Sequence, residues 1–382
     1  MYSLADYGAM LADEARMRAY EGALRQTVKT GMVVLEIGTG PGALAVLACQ
    51  LGAKRVYAVE PNPVIQVARE IALANACADK IEFIEGVSTE VVGPIQADLM
   101  VSDLRGTLPL LDFHIPSIVD ARRRFLGPGA TMIGRADRLR VAIVEAPDMY
   151  SKIVGPWEHN PLGQDRSAAR KRIVNEIFRL RPAPEQLLTH PCLWAILDYR
   201  QIESPDVQGE LSWQVTRDGT GHGIVIWFDA ELAEGVEFST GPGSADGVYG
   251  SMFLPWQEPV ALVESQRVCV QLTAKLLEKQ YFWRWSTRIE SLSTPKEITA
   301  QFNQSQIQGA ALSSARLLKG TSKYVPRLSR EGLMYRRALE LMDGKASLEE
   351  ISVRLAAEFP ERFAGWKQAL TFAGPVSTEN SD

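Results

Sequence analysis

Val33-Val34-Leu35-Glu36-Ile37-Gly38-Thr39-Gly40-Pro41-Gly42 is the stretch whose reading decides the fold. A β-branched run stops at three alternate glycines and resumes as Ala43-Leu44-Ala45-Val46-Leu47-Ala48, which describes a buried strand, a tight turn and a helix N-terminus. Glycine is needed in such a turn where a Cβ would hold the backbone away from a ligand. Glu60 closes the next apolar run, a position from which a carboxylate can hold a ribose hydroxyl.

Working outward, Met32 to Gly38, Arg55 to Glu60, Lys80 to Glu85 and Asp98 to Ser102 read as strands, with helices over Gly42 to Leu51 and Pro63 to Asn75. Alternation of this kind predicts an α/β, Rossmann-like domain over residues 1–135 with a parallel sheet, whose ligands lie beyond the carboxyl ends of the strands. Gly38, Glu60, Ser88 and Asp103 all fall at such ends. Ahead of the sheet, residues 2–28 carry Tyr7, Met10, Leu11, Ala15, Tyr20 and Leu24 at helical spacing, with Arg16 and Arg18 among them. Read from the helix alone, both arginines are solvated; the sharper alternative sends one to a ligand carboxylate, which a guanidinium grips bidentately.

Beyond about Gly129 short β-branched and aromatic runs separated by Gly, Pro and Asp predict an all-β domain over residues 136–290. Within it, Asp165 to Phe178 is expected to form an amphipathic helix, as a lid or a docking arm. Residues 291–328, rich in Ser, Thr and Gln, read as a linker, and residues 329–374 as a small helical or winged-helix unit in which Ser347-x-x-Glu350 is a capping box. The tail over 375–382 is expected to be disordered.

The chain of 382 residues, 46% hydrophobic with a net charge of -5, can bury a large core in two or three domains, and its mild acidity argues against nucleic acid as the default partner. Cys49, Cys77, Cys192 and Cys269 lie far apart and read as free thiols, and the four histidines show no metal-ligand spacing, so no structural metal is expected. No apolar run approaches the length of a membrane span, which places the expected home in the cytoplasm.

Gly38-x-Gly40-x-x-Ala43 also satisfies a relaxed dinucleotide fingerprint, so a nicotinamide-dependent oxidoreductase stays open on the glycines alone. Glu36, two residues before the first glycine, and Pro41 before a third glycine favour S-adenosylmethionine, which has no pyrophosphate to seat on the helix N-terminus. In Ser102-Asp103-Leu104-Arg105-Gly106-Thr107-Leu108-Pro109-Leu110-Leu111-Asp112-Phe113-His114, Asp103 ends a strand and Asp112 returns after a loop. Two carboxylates converging on one pocket suit a cation such as a guanidinium; the bland alternative caps a strand end with Asp103 and leaves Asp112 exposed.

The run Met10-Leu11-Ala12-Asp13-Glu14-Ala15-Arg16 ahead of Tyr20, the glycine motif, Glu60, the acid pair and Phe238-Ser239-Thr240-Gly241-Pro242 together resemble, in divergent form, the protein arginine methyltransferase family over residues 2–290. The resemblance implies S-adenosylmethionine as cofactor, with Arg16 on its methionine carboxylate, Met10 near the sulfonium, Gly38 and Gly40 lining it, Glu60 on the ribose and the turn at Ser88 near the adenine. Asp103 and Asp112 take the place of the family's two substrate-binding glutamates. It also implies that the β domain is the family's barrel, that the helix at 160–180 is a dimerisation arm, and that the chain forms a homodimer. The acceptor expected is a guanidinium or related nitrogen of a peptide, protein or small molecule.

The chain departs from the family at four points: the two acids are each one methylene shorter, Tyr7 stands where a histidine is common, His114 where a methionine is common, and Ser251 lies in the loop that replaces Thr-His-Trp. Tyr7, His114 and Ser251 are thereby expected in an altered acceptor pocket, where the shorter acids set a cation about 1 to 1.5 Å deeper. A non-catalytic cofactor-binding scaffold is the main alternative. Leu341-Met342-Asp343-Gly344 followed by Ser347-Leu348-Glu349-Glu350-Ile351 resembles winged-helix domains that bind peptides or partner enzymes in bacterial modification systems, and equally a generic helical hairpin.

Overall fold

The computed structural model describes residues 2–245, 247–292 and 298–381, and divides into two compact units, Met1–Ala310 and Ala311–Asp382. The first begins with α1 (Leu4–Leu11) and α2 (Glu14–Thr27), not with one continuous helix. The break falls at Asp13, whose carboxylate caps α2 by accepting the Arg16 N–H at 3.2 Å. Asp13 competes for backbone donors and so starts a helix more readily than it continues one.

Next come β1 (Val33–Ile37), α3 (Ala43–Gln50), β2 (Arg55–Glu60), α4 (Ile65–Ala74), β3 (Ile81–Glu85), β4 (Ala97–Ser102), α5 (His114–Phe125) and β5 (Leu126–Ile133). The five strands form one sheet in the order β3-β2-β1-β4-β5, every pair parallel. Val34, Leu35, Val56, Ala58 and Leu99 are buried, as strands covered on both faces require. The chain runs outward from β1 to β3 and then crosses back to β4, so the order reverses between β1 and β4. A ligand crevice opens outside the carboxyl ends at such a switch point. Ile37 lies beside Ser102 there, which brings Gly38 and Asp103 to neighbouring strand ends.

The second half of this unit contains β6 (Ala136–Val144), α6 (Pro147–Glu158), α7 (Ser167–Ile173), β7 (Phe178–Leu180), β8 (Cys192–Asp198), β9 (Val207–Gln214), β10 (Gly219–Ala233), β11 (Val236–Ser239), β12 (Ser251–Leu262), β13 (Gln266–Leu277), β14 (Gln280–Ser291) and β15 (Ile298–Ser305). They make two antiparallel sheets, β7-β12-β10-β6-β8 with β11 on β10, and β15-β14-β13-β9; no described ladder joins the sheets, so the barrel is open. Ile224, Ile226 and Phe228 of β10 face the main core. Val225 and Trp227 pack instead with Tyr150, Ile153 and Val154 of α6. Burial on both sides explains why Ile224 to Phe228 of β10 is a continuous apolar run.

The arm helix is shorter than expected. α7 has no buried residue, because the chain turns at Asn175, whose buried amide accepts the Ser305 N–H at 3.0 Å, and β7 begins at Phe178. The expected linker also holds β15, which pairs with β14 and buries Phe302 and Gln304. Its Gln-rich composition hides this strand, because the Gln304 amide is spent inside the fold, donating to the carbonyls of Val174 and Pro255. Residues 293–297 of that linker lie outside the described residues. α8 (Gln306–Gly309) ends the unit.

In the second unit, α9 (Ser314–Lys319) precedes α10 (Arg330–Leu341), α11 (Leu348–Glu358) and α12 (Trp366–Asn380), and no strand occurs among its described residues. The wing of a winged helix is therefore missing from them, and the unit is helical. Met334, Ala338, Ile351, Leu355, Phe363 and Ala373 form its core, and Ser347 with Glu350 makes the capping box of α11. The tail expected to be disordered is the last part of α12, held in place by burial of Val376; Asp382 lies outside the described residues.

Candidate active site

The glycine loop is fastened to the sheet by backbone groups: the N–H groups of Gly38 and Thr39 both donate to Val59 O, at 2.8 and 3.1 Å. Gly38 and Gly40 have φ of +75° and +53°. These left-handed conformations disfavour any side chain at either position, and a Cβ on Gly40 would in addition press on the Tyr7 ring at 3.0 Å. Glu60 accepts the N–H of Gly40 at 2.8 Å and of Asn62 at 2.9 Å. Burial raises its pKa against these bonds. Glu36 holds the loop: it accepts the Thr39 hydroxyl at 2.6 Å, and burial pushes its pKa up to about 8.

Asp103, one residue past β4, is the centre of a buried charge network. One carboxylate oxygen receives Arg16; the other receives the Tyr249 hydroxyl at 2.6 Å and Arg105 at 3.3 Å. Burial acts to raise its pKa, but Arg16, Arg105 and Tyr249 outweigh burial and hold it below the usual range. Arg105 in turn donates twice to Asp137, at 2.7 and 2.9 Å, and once to Tyr20 Oη at 2.8 Å, and its guanidinium lies 5.7 Å from the Tyr199 ring centroid and 5.9 Å from that of Phe228. Tyr199 donates to Asp137 at 2.5 Å, and His114 Nε2 meets the Tyr199 hydroxyl at 2.9 Å. Two arginines balance two aspartates, which is how charges persist in a low-dielectric interior.

The structure brings Arg16 to Asp103 beside the glycine loop, and Met10 joins them because its carbonyl accepts from the same guanidinium. Ser88 is buried in a turn over 88–90, its carbonyl held by Arg124 at 2.7 Å. Tyr7 packs on Gly40, with Tyr2 edge-on at 5.9 Å, so it borders the loop; burial, with the Glu60 charge, pushes its hydroxyl up to about 12. Asp112 is exposed, with φ +40°, and has no hydrogen bond among the described residues, whereas Asp103 is held in the buried network. The connecting loop carries it into solvent. His114 is likewise no pocket residue but part of the buried network, where burial and then the Arg105 charge depress its pKa to about 3. Ser251 turns its hydroxyl to Thr240 O at 3.2 Å.

Sequence reasoning missed Arg105, Asp137, Tyr199 and Tyr249 as members of the site, and Asp13 as its clamp. Asp13 caps α2 with one oxygen and with the other accepts the Val248 N–H at 2.9 Å, while Arg179 holds the carbonyl of Val248, so the loop bearing Tyr249 is pinned from both sides. The available signal was Arg105 itself, a cation between apolar residues in a segment too hydrophobic to be a solvated face.

A glycine loop at the switch point of a parallel sheet, followed by an antiparallel domain that sends a tyrosine onto the acid at the next strand end, defines an α/β cofactor-binding enzyme class with an appended β domain. Residues 136–280 match the arginine methyltransferase oligomerization subdomain, and residues 21–120 match the ribosomal protein L11 methyltransferase family. The chain is 30% identical over 241 residues to protein arginine N-methyltransferase 1 of Dictyostelium discoideum, covering 61% of this chain and 70% of that one. It is 28% identical over 243 residues to protein arginine N-methyltransferase 1 of Schizosaccharomyces pombe, covering 62% and 71%. Its fold is similar to that of protein arginine methyltransferase 10 of Arabidopsis thaliana, with a TM-score of 0.70 at 22% identity over 80% of this chain and 98% of that one. The chain belongs to the protein arginine methyltransferase family.

Proposed function

We propose that this protein is an S-adenosylmethionine-dependent N-methyltransferase whose acceptor is a guanidinium or related nitrogen of a protein, peptide or small molecule. The observation that carries the reading is the meeting of Arg16 with Asp103 at the carboxyl edge of the sheet, beside Gly38 and Gly40. Arg16 fits the cofactor: its buried Nε has no acceptor, and a carboxylate supplies one. Gly38 and Gly40 would let the ligand approach the backbone, Glu60 would hold the ribose, Ser88 would border the adenine and Met10 the sulfonium. When bound, the cofactor supplies an electrophilic methyl group.

Asp103 then orients the acceptor. Its Tyr249-bound oxygen stays committed, and the oxygen facing Arg16 becomes available once that guanidinium is matched by the ligand's carboxylate. Arg105 still balances Asp137, so Asp103 is the acid left to receive a cationic acceptor. The grip within the buried network is through this one oxygen, and Asp112 lies exposed outside that network. Asp103 holds the nitrogen in line and accepts its proton, while Tyr249, donating to that carboxylate, fixes its direction, so that orientation and charge placement supply the catalysis.

Arginine-containing peptides, free arginine and small amines incubated with the protein and cofactor should gain the mass of one methylene. Asp103→Asn should cut turnover by about 10³-fold and leave S-adenosylhomocysteine binding intact by calorimetry; undiminished turnover would remove Asp103 from the mechanism. A second reading, a cofactor-binding chain without turnover, is favoured by the engagement of both Asp103 oxygens with the chain's own donors. Failure of every acceptor together with tight cofactor binding would select it. Homodimerisation through the segment around α7 is part of the same proposal, supported by the match of residues 136–280 to an oligomerization subdomain and testable by sedimentation.

A further inference from the structure

The two antiparallel sheets differ on their outer faces. That of β10 and its neighbours is covered by α6, whereas that of β15-β14-β13-β9 is polar and open. β13 and β14 alternate: Val268, Val270 and Trp285 face the core, and Gln271, Arg284 and Arg288 face out. The register sets these outward residues in rows across the four strands. Glu210, Gln271, Ser286 and Asn303 form one row, flanked by a row through Arg284 and Thr273 and another through Arg288 and Gln301. The rows enclose a concavity of about 280 Å³, with a second of about 260 Å³ adjoining it at Glu210 and Gln271. Both lie away from the Arg16–Asp103 site.

We propose that this face binds an extended acidic peptide segment. Arg267, Lys275, Arg284 and Arg288 outnumber Glu210 and Glu290 on it, and among the described residues only Arg288 is ion-paired, to Glu290. Arg284 and Arg288 lie four residues apart on one strand, a span of about 13 Å, twice the ~7 Å repeat of alternate side chains in an extended peptide. Carboxylates spaced by four residues, as in a run of alternating acids, therefore meet them in register, and the amides of Gln271, Gln301 and Asn303 match the donors and acceptors of a peptide backbone. A single-stranded nucleic acid fits less well. Such sites stack bases on aromatic platforms, and among the described residues this face has only the half-buried Phe282, with two carboxylates that repel phosphate.

Fluorescence polarisation on the full chain tests this, using a labelled decapeptide of alternating Glu and Ser, the corresponding Lys and Ser decapeptide, and a labelled oligothymidylate. The acidic peptide should bind saturably, weaken as salt is raised, and bind at least about 10-fold less tightly to the Arg284→Glu, Arg288→Glu double variant. The paired Lys substitutions should keep most of the affinity. Both arginines are exposed, so the thermal midpoint of each variant should match that of the parent and exclude unfolding as the cause. The proposal is overturned by absence of saturation, by equal binding to the Glu variant, or by oligothymidylate or the Lys peptide binding as tightly as the acidic one.

Discussion

The glycine loop and the acid network occupy neighbouring strand ends, yet they are assembled in opposite ways. The loop is held by bonds spanning three residues, from Thr39 to Glu36, and twenty, from Gly40 to Glu60. The network is held by bonds spanning 87 residues from Arg16 to Asp103, 146 from Tyr249 to Asp103 and 62 from Tyr199 to Asp137. The first depends on backbone shape and is specified within one stretch of chain. The second depends on charge balance among distant segments, so each member's role is defined only by what the rest of the fold brings to it.

The contrast is tested most severely at Arg105. Arg105→Met leaves Asp137 buried and unpaired and should cost about 3–5 kcal/mol in chemical denaturation, and adding Asp137→Asn should restore much of it. A loss below about 1 kcal/mol would mean that charge balance does not hold the acid network together.

A smaller effect separates the two halves by pH. The unfolded chain protonates His114 below about 6.5, whereas the folded chain resists until about 3, so this group makes stability fall as pH falls between those values. Glu36 has the opposite sign: its folded pKa of about 8 exceeds the usual 4.5, so its contribution is lost as pH rises between them. Across the overlap the slopes oppose each other. Relative to the parent, His114→Phe should gain about 1.4 kcal/mol per unit of acidification and Glu36→Gln should lose about as much. Thermal melts between pH 5 and 6.5 would show this, and slopes unchanged in both variants would refute it.

The mildest change is Tyr249→Phe, which removes one hydroxyl from Asp103 and should lower turnover by about 1 kcal/mol, or roughly 5-fold, with S-adenosylhomocysteine affinity within about 2-fold of the parent. A larger loss of cofactor affinity would show that the two halves are energetically one.

The same distinction explains what was legible in the sequence. Strand β1, the glycines and Glu60 declare themselves through local periodicity and backbone need, and the parallel sheet follows from alternation. Arg16 is ambiguous from its own helix because its partner is elsewhere. Asp112 misled because proximity in sequence to Asp103 does not set where the intervening loop points. β15 was hidden because Gln304 is polar by composition and buried by function, with both amide hydrogens used inside the fold. Nothing near Asp137 or Tyr199 announces a site, since their meaning depends on Arg105.

Asp13 also ties the start of the chain to its second half. Its carboxylate waits for the N–H of Val248, 235 residues downstream, and the same loop delivers Tyr249 to Asp103. Every residue of the five-stranded sheet and its glycine loop precedes Tyr249, so a chain cut short of residue 249 would hold all the residues of its cofactor loop but leave Asp103 only Arg16 and Arg105 to answer it.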